Sequence, residues 1–370
     1  MASRHYCRDA IIMVLTTTIS YIYNKVMRSK YCLLMLPAAA VVLSSCSIID
    51  EDNSDCGLDN KIVYSLKLRT NIQTVLETQL GTEEERPVAQ ALSSSLSGIF
   101  TDWAHDISLS FYDTDDKLYK TEKHTMDASQ AEYVVYLPER DYRNLVVANI
   151  ADAKNIRPLD DTHPDDMKLQ YDNLTDTINS LTTGLFTARQ VIEVCGCTET
   201  YYVDLYMANS CTALVVDTAG MNVKGIKMFA KDFATYFAVS DSAYHFYSNP
   251  VVRSEEMDVP KEIHRTCHYV VSFPSRDEAI QLSSPQRATP TNAPTKATPD
   301  AYYRVMAYIT LPDGSITENI ISVESPLLAG RLKIIKMKMK QDGSLTPESH
   351  DVGVSVTLDW KQGGTYEPDI

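Results

Sequence analysis

The feature that most limits what this chain can fold into is an alternation of period two that returns over many short stretches. From Asp59 onward, Ile62, Tyr64, Leu66 and Leu68 fall on one side, and Val63, Ser65, Lys67 and Arg69 on the other. That is the spacing of a half-buried strand. DISLSFYD sets Ile107, Leu109 and Phe111 in phase, and AEYVVYLP, NLVVANI, TYYVDLYM, TALVVDT, HYVVSFP, YYRVMAYITLP, ENIISV, RLKIIKMKMK and VGVSVTLDW repeat the signal. Short strands separated by Asp, Gly, Pro and Asn turns predict an all-β fold built of β-sandwiches.

Two turns are explicit enough to predict hairpins. FYDTDDKLYK folds back through Asp113 to Lys117, and ITLPDGSITENI through Pro312-Asp313-Gly314, where proline presets φ and glycine accepts a left-handed position. One helix interrupts the pattern. TEEERPVAQALSSSLSGIF offers Thr82 as N-cap, Glu85 three residues on, and Val88, Ala91, Leu92, Leu96 and Ile99 at helical spacing.

The N-terminal region reads differently. Arg28 and Lys30 precede an apolar stretch from Tyr31 to Val42 that ends in Leu43-Ser44-Ser45-Cys46. About a dozen apolar residues fall short of the roughly 20 a spanning helix needs, so residues 1–45 are expected to be a removable signal, with translation starting at Met27. Leu43, Ser44, Ser45 and Cys46 resemble the bacterial lipobox, in which the cysteine thiol is acylated and becomes the new N-terminus. Residues 46–57 would then form a lipidated linker. The remaining length suits two domains of about 150 residues: an N-terminal β-sandwich over 58–195 carrying the helix, and a C-terminal one over 196–370. Residues 283–300, rich in Pro, Thr and Ser, are expected to be a mobile loop in the second.

Charge excludes one class of partner. Removing residues 1–45, with five Lys/Arg against one Asp, takes the net charge from −15 to −19, and so acidic a chain has no electrostatic case for nucleic acid. The acidic runs DEDNSD and DDTHPDD suit solvated linker and loop. Cys195, Cys197, Cys211 and Cys267 lack the paired spacing of a zinc knuckle. On a strand, residues 195 and 197 share a face, as core or in a disulfide with Cys211. Asp113-Thr-Asp115-Asp116 opens like a calcium loop, but Leu118 stands where glycine is needed and His124 where glutamate is needed. No nucleophile elbow and no phosphate loop is present. The expectation is a protein that is not an enzyme and has no cofactor and no metal site.

Taken in order, CSIIDEDNSDCG with its second cysteine, IVYSLKLRTNI, DISLSFYDTDDKL and the closing VGVSVTLDW resemble the fimbrillin-associated anchor lipoproteins of Bacteroidales, the FimB-like minor fimbrial subunits. The resemblance implies two tandem transthyretin-like β-sandwiches, a lipid on Cys46 holding the chain to the outer membrane and exposing it at the surface, and a fimbrial shaft subunit (fimbrillin) as partner. In that family shaft subunits are trimmed near their first strand and anchors are not. Here Lys67, Arg69 and Arg86 leave trimming open. The candidate partner-strand edge is the last strand, with Val352, Val354, Val356 and Leu358 on one face. The alternative, a surface glycan-binding lipoprotein of a nutrient-uptake system, would need exposed aromatic side chains on one face. The chain holds 22 tyrosines but only Trp103 and Trp360 as tryptophans.

Overall fold

The computed structural model describes residues 60–348 and 354–359, apart from 70–75, 77–78, 101–103, 127–131, 175–176, 196–198, 258 and 277–300. The signal segment, Leu43, Ser44, Ser45, Cys46, both tryptophans, Cys197, Val352 and the 283–300 loop lie outside the described residues. Asp59–Ile370 form one compact unit.

The all-β class read from the alternation is what the structure shows. Seven strands make a first sheet: β1 (Asn60–Arg69), β2 (Asp106–Tyr112), β3 (Leu118–Thr125), β4 (Glu132–Leu137), β5 (Asp141–Ala148), β6 (Phe186–Glu193) and β7 (Glu199–Met207). Their order is β3-β2-β5-β6-β7-β1-β4. Among the described residues β6 and β7 pair through Phe186↔Met207 and Thr187↔Tyr206 alone, so the sheet turns a corner there. Its arms β3-β2-β5-β6 and β7-β1-β4 close over one core that includes Ile62, Leu109, Phe111, Val146 and Leu205. β1 runs antiparallel to β4 and parallel to β7.

Seven of the later strands repeat this plan. They are β8 (Ser210–Asp217), β9 (Gly225–Lys231), β10 (Val252–Arg253), β11 (Arg265–Ser272), β12 (Tyr303–Thr310), β13 (Ile316–Val323) and β14 (Leu332–Met339). β8 runs antiparallel to β11 and parallel to β14, as β1 does to β4 and β7. β9 lies between β10 and β12, and β12 pairs with β13, as β2 lies between β3 and β5 and β5 pairs with β6. The expected boundary at 195/196 falls between β6 and β7, which share a sheet, and the seam of the repeat lies between Met207 and Ser210. Two strands follow the repeat, β15 (Leu345–Pro347) on β14 and β16 (Val354–Asp359) on β13.

β8 is buried on both faces over most of its length. Cys211, Ala213 and Val215 enter the first core while Leu214 and Val216 enter the second, with Ile226, Val305, Ile321 and Ile335. A strand buried on both faces loses the polar half of its alternation. The helix α1 (Arg86–Leu96) buries Val88, Leu92 and Leu96, as its spacing predicts, and packs against β11. The predicted capping pair forms one turn early. Thr82 Oγ1 donates to Glu85 Oε2 at 2.7 Å and accepts from the Glu85 N–H at 3.3 Å, but the helix begins at Arg86 with Pro87 in its first turn. Glu85 is held instead by Lys336 of β14, whose Nζ lies 2.8 Å from Oε1. Burial works to raise the Glu85 carboxyl, yet the Lys336 ammonium and Thr82 hydroxyl outweigh it and hold the group below its ordinary value.

Both predicted hairpins form. Asp113 Oδ1 accepts from the N–H groups of Asp115 and Lys117 in the β2–β3 turn. Gly314 adopts φ +90° in the β12–β13 turn, a conformation open to glycine because it has no Cβ.

Candidate partner-strand edge

The candidate edge is built on β13. Its inward row is Asn319, Ile321 and Val323, all fully buried, with Ile321 and Val323 in the second core. Asn319 has no apolar role there. Its Nδ2 donates to the Gly343 carbonyl at 3.1 Å, and its Oδ1 accepts from the Leu345 N–H at 2.8 Å, so it ties the β14–β15 turn to the sheet. Thr317 Oγ1 adds a bond to the Asp342 carbonyl at 2.7 Å. A Cβ on Gly343 would come within 2.8 Å of Thr317 Oγ1, and φ there is +77°, so this close approach requires glycine. On the opposite face Tyr308 donates to the buried Glu318 carboxylate at 2.6 Å.

β16 lies antiparallel along this prepared edge. Val354 stands opposite Val323, Val356 opposite Ile321 and Leu358 opposite Asn319. Three of the four residues singled out in the sequence thus fall in one strand, at the register positions of β13's inward row. Among the described residues, β16 pairs with β13 alone and ends the sheet order. The chain leading to it is pinned at Glu348, whose Oε1 accepts from Arg265 Nη1 at 2.9 Å.

Three features of this region are not visible as motifs in the sequence. First, the outer side of β6 carries no strand at residues 188–193 among the described residues. Arg189 and Val191 stand at its surface, Val191 being 78 % exposed. Beside it opens a cavity of about 430 Å³ lined by Asp116, Arg143, Arg189, Val191 and Ser240. Both guanidinium groups donate to the Ser240 carbonyl, at 3.2 and 2.8 Å, and Arg143 also pairs with Asp116 at 3.1 Å. Second, a cavity of about 300 Å³ is lined by Lys227, Arg253, Glu256 and His268. Burial lowers the His268 imidazole to about 4, and its Nε2 has no hydrogen-bond partner. Third, Tyr236, His245 and Tyr247 stack with ring centroids 4.5 to 5.9 Å apart.

Among the described residues, Cys195, Cys211 and Cys267 form no disulfide with one another and do not gather into a three-ligand group. Cys211 stands opposite Val271 and Cys267 opposite Val215. Burial raises both thiols, Cys267 to about 12, far from the thiolate that binds metals or attacks. Among the described residues no group of three His, Cys, Asp or Glu could hold a metal, and no helix is long and apolar enough to cross a membrane.

Among the described residues the chain is all-β, and β16 lies along one sheet edge. The family of fimbrillin-A associated anchor proteins Mfa1 and Mfa2 matches residues 84–259, which bears out the resemblance read from the sequence and marks the chain as a fimbrial, adhesin-type protein of the cell envelope. The fimbrial anchor protein Mfa2 of Porphyromonas gingivalis is 10% identical, with 82% of this chain and 98% of that one covered at a TM-score of 0.42. A candidate adhesin of Bacteroides thetaiotaomicron gives 9%, 83% and 98% at 0.48, and the tip fimbrial protein Mfa3 of Porphyromonas gingivalis 13%, 82% and 100% at 0.34. No curated protein matches the chain.

Proposed function

We propose that this protein is a lipid-anchored minor fimbrial subunit that attaches a fimbria to the outer membrane and ends its assembly. Cys46 carries the lipid, the two sandwiches, with their seam after Met207, form the body, and the C-terminal strand edge meets the shaft subunit. The observation that carries the reading is β16, which among the described residues pairs on one side only, in a chain whose residues 84–259 match the fimbrillin-A associated anchor proteins. A free strand edge offers backbone donors and acceptors to a partner strand. Two variants test it. Cys46→Ser should abolish palmitate labelling and release the protein from the membrane fraction, and unchanged labelling would refute the lipid. With the lipid in place, deleting residues 351–370 should shed fimbriae into the medium. Wild-type retention by a folded, surface-displayed deletion variant would remove the edge from the account.

The glycan-binding alternative is favoured by one observation, the stacked Tyr236, His245 and Tyr247, of which Tyr247 is 77 % exposed. Retention on insoluble polysaccharide that is lost in Tyr247→Ala would support it, and passage of the wild-type protein through the same matrix would end it.

A further inference from the structure

The loop over residues 150–161 is tied at both ends to the face of the first sheet that lies away from its core. Asp106 Oδ1 accepts from the Ile150 and Ala151 N–H groups at 3.0 and 3.2 Å, and the Tyr112 hydroxyl donates to the Asp161 carbonyl at 2.8 Å. Between these ties opens a cavity of about 450 Å³, walled by Ile150, Ile156 and Leu159 of the loop and by Ser108 of β2. Asp106, Ser108 and Ser110 stand in one row of β2. Ser110 Oγ shares a hydrogen bond with Thr121 Oγ1 at 3.3 Å, and Asp106 is held as above. Ser108 Oγ, between them, has no hydrogen-bond partner, although the residue is only 3 % exposed. A buried hydroxyl left unpaired is uncommon and costs free energy.

Two cations border the same cavity. Lys123 stands opposite Ser108 in register, and its counter-ion Asp161 lies 3.7 Å away. Arg157 is exposed and has no side-chain ion pair among the described residues.

We propose that this cavity binds a small organic acid with an apolar body, its carboxylate at Arg157 and Lys123 and a hydroxyl at Ser108. Apolar walls with a few convergent polar groups are the usual make-up of a small-molecule site, and the volume falls in the usual range. A guanidinium is a selective partner for a planar carboxylate, and a ligand hydroxyl would give Ser108 Oγ the bond it lacks. Asp106, which also lines the cavity, would repel a second acidic group, so a monoacid fits better than a diacid. The inference depends on neither Cys46 nor the attachment role of β16.

The probe is 4-hydroxyphenylacetate, which carries a carboxylate and a hydroxyl at opposite ends of one apolar ring; phenylacetate lacks the hydroxyl. Titration of the full chain, read by saturation-transfer NMR, should show saturable binding of both, with the hydroxylated acid the tighter. Ser108→Ala should weaken 4-hydroxyphenylacetate about fivefold and leave phenylacetate unaffected. Its melting temperature should not change, because the hydroxyl bonds nothing in the protein. Arg157→Ala, at an exposed position, should weaken both acids about tenfold. An absence of saturable binding by 4-hydroxyphenylacetate would overturn the proposal, as would unchanged binding in either variant. So would a lowered melting temperature in Ser108→Ala, which would mean that Ser108 serves the fold through an ordered water.

Discussion

β6 and β13 hold the same place in two copies of one strand plan, yet among the described residues β16 covers β13 while no strand lies beside residues 188–193 of β6. The difference lies in the inward row. β13 presents Asn319, Ile321 and Val323, all buried, with Ile321 and Val323 in an apolar core. β6 presents Ala188, Gln190 and Ile192, with Gln190 bonded to the buried Asn144. An apolar row left at an edge exposes core to water, at a cost of about 25 cal/mol per Å², so β13 needs a cover and β16 supplies it. In β6 the middle position is Gln190, whose amide is satisfied by Asn144, and Ile192 is already buried in the first core.

The largest expected effect comes from making the covered edge resemble that of β6. Ile321→Gln buries an amide with no counterpart of Asn144 beside it, and should cost about 3–4 kcal/mol, read as a fall in the urea midpoint. Amides of 318–323 should exchange faster as β16 loosens. Tolerance of Gln at 321 within about 1 kcal/mol would break the comparison. A second difference is acid sensitivity, which we expect to lie in the second repeat. The folded-state value of His268, about 4, is depressed from 6.5. The unfolded chain therefore binds the extra proton between these values, and stability is lost as pH falls from 6.5 toward 4, by at most about 3 kcal/mol. His268→Phe should flatten that slope, and an unchanged pH profile would show that the imidazole is not responsible. The smallest effect belongs to the reverse edge change. Gln190→Ile should leave stability within about 1 kcal/mol but promote self-association, seen by analytical ultracentrifugation, because an exposed apolar edge invites pairing. A strictly monomeric variant would mean that the Arg189 and Glu193 charges alone guard β6.

Much of the fold could be read in advance because alternation is local. The strands around Ile107, Leu109 and Phe111 and the hairpin at Gly314 are written in residues that are neighbours in the chain, and so is the apolar stripe of α1. The helix start was misplaced by one turn because the Thr82 and Glu85 pair satisfies the capping pattern while Pro87 sets where the helix begins. At the candidate edge, the row Val354, Val356 and Leu358 was legible as one strand face. Its partner was not, since nothing in ENIISV says which strand will lie against it.

The sequence by itself determined the class of fold, the strand-rich pattern and the apolar rows, because side-chain period follows directly from backbone geometry. Only the tertiary structure decided the seam after Met207, the parallel pairing of β1 with β7 and of β8 with β14, and which edge β16 covers. Those depend on pairings between residues far apart in the chain, Ile62 with Glu199 and Cys211 with Leu332. No local preference encodes such pairings, and they are fixed only when whole sheets bury their faces against each other.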